Sequence, residues 1–207
     1  MSRSFKTGRK RGHSFAGMNS IHTHLTTCAA EAARVARLVT AEQLSAPSVC
    51  EDWEVRELVN HLVLYTSHGL EHRALRKQLP EELTKRDFTA CDDWAEQYAA
   101  QLDRALAAWS DPAVWEGEVD LGFMTMPAPE IASLLVKELA VHGWDLARSI
   151  GQGFEIPDEA GQFVLGVVEE HAEVYRQYDG FAEPVRVGDD ASAFERALAT
   201  SGRHPRG

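Results

Sequence analysis

Apolar residues recur at helical spacing along most of the chain. Asn19-Ser20 offers an N-cap, and Ile21, Leu25, Cys28, Ala32, Val35 and Leu38–Val39 follow on one face. Pro47 and Ser48 punctuate. Asp52 or Glu54 then opens a second helix with Val55, Leu58, Leu62, Tyr65 and Gly69 on its apolar side, running on through His72-Arg-Ala-Leu-Arg and stopping before Pro80. A charged loop, Pro80–Asp87, leads to a third helix that begins at Asp92-Asp93. It passes through Trp94, Tyr98, Leu102, Leu106 and Trp109 and ends at Asp111-Pro112.

From Trp115 to Met126 the pattern alternates loosely and glycines fall at turn positions, which predicts a short hairpin or extended loop. Pro129 suits the first turn of a fourth helix, with Ile131, Leu134–Leu135, Leu139, His142 and Leu146 on its buried face and Gly151 at its C-cap. Pro157-Asp158 starts a fifth helix through Phe163, Val167, His171, Val174 and Tyr178. A last short helix lies near Ser192–Thr200. Long helices with short connections predict an all-α bundle.

Within this frame two words carry chemistry. In the second helix, Trp53-Glu-Val-Arg-Glu-Leu-Val-Asn-His61-Leu holds a histidine. In the fourth, Glu138-Leu-Ala-Val-His142 begins 77 positions after His61. Glu138 and His142 are four apart and therefore share one helix face. Brought together, two imidazoles and a carboxylate make a three-ligand site that suits zinc, with room for water or substrate. Cobalt, nickel, manganese or iron would also suit the donor set. Taken singly, each residue has a plainer reading: His61 and His142 as satisfied core histidines, Glu138 as a surface acid beside Lys137.

Asp145, one turn beyond His142, is a candidate to orient a ligand or a metal-bound water; Arg148, near the helix end, is a candidate for a substrate carboxylate. Glu57 is also four residues before its histidine, which leaves open a two-metal centre, and His68-x3-His72 reads better as a solvated face. Phosphate loops, nucleophile elbows and dinucleotide fingerprints do not occur. Cys50, near the start of the His61 helix, is read as a structural thiol.

Leu44 to Leu62, with Cys50-x2-Trp53 ahead of His61, and Lys137-Glu-Leu-Ala-Val-His142-Gly-Trp-Asp-Leu-Ala-Arg148 together resemble the metal-binding domain of mycothiol-dependent maleylpyruvate isomerases, an actinobacterial family within the DinB-like superfamily. A weaker helical correspondence spans roughly residues 20 to 205. The resemblance implies an up-down-down-up four-helix bundle with added short helices, and zinc or another divalent metal on His61, Glu138 and His142. It further implies mycothiol as a partner and a small electrophile as substrate, in an S-transferase or isomerase reaction. The isomerases carry a second, C-terminal domain, and the chain is expected to be a short member without it. A non-catalytic metal-binding protein, structural or regulatory, and a metal-dependent hydrolase with Asp145 or Glu57 as base are the alternatives.

Composition narrows the partners. The 207 residues suffice for one domain with a sizeable core, assigned to residues 19–207, as a monomer or homodimer. Residues 1–18 carry Arg3, Lys6, Arg9, Lys10 and Arg11 with no acid, a basic leader expected to be disordered or not native. The remainder holds 16 of the 21 basic side chains against 32 acids, which should repel nucleic acid and anionic membranes. An apolar run of about 20 residues, the length that spans a bilayer, does not occur. Three widely spaced cysteines, Cys28, Cys50 and Cys91, show no disulfide framework and suit a reducing cytoplasm.

Overall fold

A computed structural model describes residues 15–50, 52–122 and 124–206, and the elements follow in the expected order. Helix α1 spans Phe15–Ala36. It begins before Asn19-Ser20, so the N-cap predicted there is not formed. Met18 packs on the core and carries the helix one turn further back. Ser20 Oγ instead meets His24 Nε2 at 3.2 Å, and the Asn19 carbonyl accepts from Thr23 Oγ1 at 2.9 Å. Residues 15–18 of the expected disordered leader are therefore helical. The rest of that leader lies outside the described residues.

The second helix is continuous but not uniform. It runs as α2 (Val55–Leu62), a π-helical turn (Val63–His68) and α3 (Gly69–Ala74). Its start is set by Glu54, whose backbone N–H donates to Glu57 Oε2 at 2.8 Å. The wide turn loosens carbonyls, and hydroxyls take them up: Thr66 Oγ1 donates to the Leu62 carbonyl and Ser67 Oγ to that of Val63, both at 2.6 Å. A one-turn helix, α4 (Glu81–Thr84), precedes α5 (Trp94–Trp109), where Trp94, Tyr98, Leu102, Ala105 and Trp109 are buried at helical spacing. The expected hairpin forms from β1 (Glu118–Asp120) and β2 (Thr125–Pro127), antiparallel with Val119 opposite Met126.

Helix α6 (Ala128–Ser149) has proline in its first turn, as predicted, and packs most extensively on α1. Helix α7 (Asp158–Gln177) ends before Tyr178, which is exposed, as is Val174; the apolar face read for its last turn does not pack. Helix α8 (Ala193–Thr200) opens with a reciprocal cap between Ser192 and Glu195 and packs against α7.

Helix directions follow from cross-helix contacts. Arg37 meets Glu96, and His22 meets the Leu106 carbonyl, so α1 and α5 are antiparallel. Thr66 meets Tyr98, and Trp109 Nε1 reaches the Leu70 carbonyl, which sets α2–α3 alongside α5 in the same sense. Val49 bonds Ser149 while His61 faces Glu138, so α2 and α6 are antiparallel. The result is an up-down-down-up four-helix bundle of the DinB-like type, around one core reaching from Ile21 to Ala197. None of the described helices is long and apolar enough to cross a membrane.

Candidate metal centre

Helices α2 and α6 bring His61, Glu138 and His142 together. Their partial burial is the outcome of helical spacing: Leu58 and Leu62 flank His61 in the core, and Leu139 and Leu146 flank the α6 residues. Glu138 Oε2 lies 3.6 Å from His61 Nε2 and 3.3 Å from His142 Nε2. One ligand atom from each residue lies within 4.8 Å of the others. The His61 and His142 rings are 4.8 Å apart, with Trp53 5.1 Å and Tyr65 4.8 Å from His61.

Behind these three residues stands a supporting layer. Asp145 is only 1% exposed, so it is no solvated acid. His142 Nδ1 donates to Asp145 Oδ2 at 2.9 Å, which leaves Nε2 facing Glu138 and His61. Arg203 grips the same carboxylate at 3.1 Å (Nε to Oδ1) and 2.8 Å (Nη2 to Oδ2), and Cys50 Sγ donates to Oδ2 at 3.4 Å. Arg203 arrives from the far end of the chain through Gly202. That residue has φ of 86° and lies so close to Ala182 that a side chain there would collide. Gly143 serves α6 likewise: a Cβ would fall 2.4 Å from the Phe154 ring. On the other side Lys137, 3% exposed, pairs through Nζ with Glu138 Oε1.

Electrostatics follow this layout. Burial opposes charge on Glu138, yet Lys137 and the two imidazoles hold its carboxyl well below the usual range. Burial also opposes charge on His142, but hydrogen bonds to Asp145, Cys50 and Glu138 lift it well above an ordinary imidazole. For Asp145 the desolvation is outweighed by His142 and Arg203, and its pKa is about 2.

The residues fit a divalent cation. His61 Nε2 is buried and has no hydrogen-bond partner among the described residues. Such an atom is costly unless something accepts its lone pair or donates to it. It points at a carboxylate oxygen that a second imidazole also faces, the donor set that suits zinc.

Sequence reasoning placed these three residues and Asp145 together. It missed Arg203, which no local pattern marks, and it left Lys137 at the surface beside Glu138, although its position inside the apolar run Leu134-Leu-Val-Lys-Glu-Leu was a signal of burial. Arg148 is exposed on the helix. Glu57 is occupied as a helix cap, and His68 and His72 do not converge: His68 stacks on Phe88 and His72 Nδ1 meets the His68 carbonyl.

Fold and cluster together define a DinB-like helical bundle whose central helices present two histidines and a carboxylate. Residues 25–147, well over half the chain, match the model of the mycothiol maleylpyruvate isomerase N-terminal domain, and the chain belongs to that family. Among solved structures it is similar to a mycothiol-dependent maleylpyruvate isomerase, with 18% identity, TM-score 0.65, and 92% of this chain and 91% of that one covered. A histidine-to-alanine mutant of the mycothiol-dependent maleylpyruvate isomerase matches with 17% identity, TM-score 0.66 and the same coverage. No curated protein matches. The likeness extends past α6 over most of that isomerase chain.

Proposed function

We propose that the protein binds one divalent metal ion, zinc by its donor set, through His61, Glu138 and His142. We further propose that it uses the site for mycothiol-dependent chemistry, as an S-transferase or isomerase acting on a small electrophile. The observation that carries the reading is the buried, unpartnered His61 Nε2 aimed at the carboxylate that His142 also faces. Bound there, the cation would stabilise the thiolate form of the cofactor.

The chain's own residues prepare the site for this. Asp145 fixes the tautomer and ring plane of His142, and Arg203 fixes Asp145. Lys137 fixes Glu138. A cavity of about 290 Å³ opens beside His61, walled by Trp53, Tyr65, Leu83 and Phe88, with Glu57 and Arg86 as its charged groups. Such a space suits a small reactant next to the nucleophile. The thiolate would form a carbon–sulfur bond to the electrophile; in an isomerisation the same bond breaks again and returns the thiol.

A structural ion would call for a fourth protein ligand or an apolar plug. The other nearby donor, Cys50, lies with Asp145 on the Nδ1 side of His142, away from the triad, and the cavity is open. A hydrolytic reading needs a base at the ion: Asp145 is held by Arg203 and His142, which leaves Glu57 at the cavity wall as its candidate.

Cobalt substitution tests the proposal. Mycothiol added to the cobalt protein should produce a sulfur-to-cobalt charge-transfer band, and an analogue without the thiol should not. Full cobalt occupancy with no band from mycothiol, bacillithiol or glutathione would overturn the thiol reading.

A further inference from the structure

Each carboxylate at this centre has a cation of its own, one partly buried and one fully buried. Asp145 is held by Arg203, and Glu138 by Lys137. The Lys137 ammonium also sits 3.9 Å from the centroid of the Tyr175 ring and 5.5 Å from that of Phe181, a wall of aromatic faces that suits a cation. A lysine this deeply buried is costly, and an apolar side chain of similar volume would pack there at less expense in desolvation. Its presence therefore calls for an account beyond stability.

The two oxygens of Glu138 supply one. Oε1 is taken by Lys137, whereas Oε2 faces both histidines. A glutamate free at both oxygens can chelate a cation and fill two coordination positions; this one can offer a single oxygen. The charges also cancel. With neutral imidazoles, the two acids and the two cations that grip them sum to zero, and Arg73, whose field reaches Glu138, adds to the positive side.

We propose that Lys137 is a positioning residue. It confines Glu138 to ligation through Oε2 and neutralises its charge, so that a divalent ion at the site keeps its full charge and an open position for a small monoanion. A thiolate is such a ligand. The proposal rests on the metal reading above.

The test compares wild type with Lys137→Met, Lys137→Arg and Lys137→Gln. Zinc affinity is read by chelator competition, and azide affinity by the visible spectrum of the cobalt protein. Losing a positive charge next to the carboxylate should tighten zinc binding by about tenfold or more in Lys137→Met and weaken azide binding by a similar factor. Lys137→Arg should stay near wild type in both. Lys137→Gln, which keeps an N–H for Oε1 but not the charge, should lose azide affinity as Lys137→Met does, and it carries the test if the methionine variant fails to fold. Zinc and azide binding weakened together, or azide binding unchanged in both uncharged variants, would overturn the role of Lys137 while leaving the metal site standing. A wild-type protein that binds no divalent ion would overturn the metal reading itself, and this inference with it.

Discussion

Replacing Arg203 with methionine should destabilise the protein by about 3 kcal/mol, through the acid left behind. Arg203 meets Asp145 twice, at 3.1 and 2.8 Å, and Asp145 is 1% exposed. Removing one member of a buried pair costs about 3–5 kcal/mol, because the remaining charge cannot reach water. Here Asp145 keeps two donors, His142 Nδ1 and Cys50 Sγ, and methionine would still cover the Phe181 ring that Arg203 overlies. Both facts favour the lower end of the range. For a chain of this size 1 kcal/mol moves Tm by about 2–4 °C, so the midpoint should fall by roughly 6–12 °C in thermal denaturation followed by circular dichroism. The same change on an Asp145→Asn background isolates the cause. With no charge to strand, losing Arg203 should then cost about 1 kcal/mol. A fall of less than about 3 °C for the single variant, or equal costs on both backgrounds, would refute the stranded-charge argument.

Metal analysis should find close to one divalent ion per chain, lost in His61→Ala and in His142→Ala; full occupancy in either variant would remove that residue from the ligand set. The chelated protein should keep its helical circular dichroism, because the bundle core is apolar and extensive, and added zinc should raise Tm by binding the native state. Zinc affinity should climb with pH to values above about 6.5, the ordinary imidazole range, because His142 holds its proton more tightly than a free histidine and the metal must displace it. Chelator competition across that range tests the sign, and a plateau beginning at or below the ordinary value would contradict the role given to Asp145. Iodoacetamide at mildly alkaline pH should modify Cys50 and Cys91, which are partly exposed, and spare Cys28, which burial pushes up to about 12; mass spectrometry reads the outcome.

Local periodicity carried most of the fold. The faces built on Ile21–Val35, Trp94–Trp109 and Ile131–Leu146 lie where 3.6-residue spacing puts them, since each is long enough to average out single exceptions. Ends were harder. Ser20 is a good N-cap residue, but Met18 found a packing partner and the helix passed it by. Val174 and Tyr178 have the right spacing but nothing to pack on where α7 runs out. The ligand triad was visible because two of its members are one turn apart and the third sits in a distinctive word. Arg203 was not, because its link to Asp145 spans 58 positions and depends on a turn that only the folded chain creates. Lys137 was seen and misjudged: a lysine is usually at the surface, and only the tertiary structure shows the aromatic wall that receives it.

The π-helical turn at Val63–His68 divides one helix into two phases. Upstream of it, α2 is registered on α6, and His61 faces Glu138; downstream, α3 is registered on α5, and Leu70 meets Trp109. In a straight α-helix one residue is worth about 100° of rotation, so a single unbroken register would have to serve both neighbours at once. The extra residue works as a coupling with slack. Deleting one residue within the turn would restore the α-helical ladder and leave His61 in place, while swinging Leu70 and Ala74 out of the core. The same offset frees the two halves from one another: changes that tune the α3–α5 scaffold need not be transmitted to the angle at which His61 meets its partners.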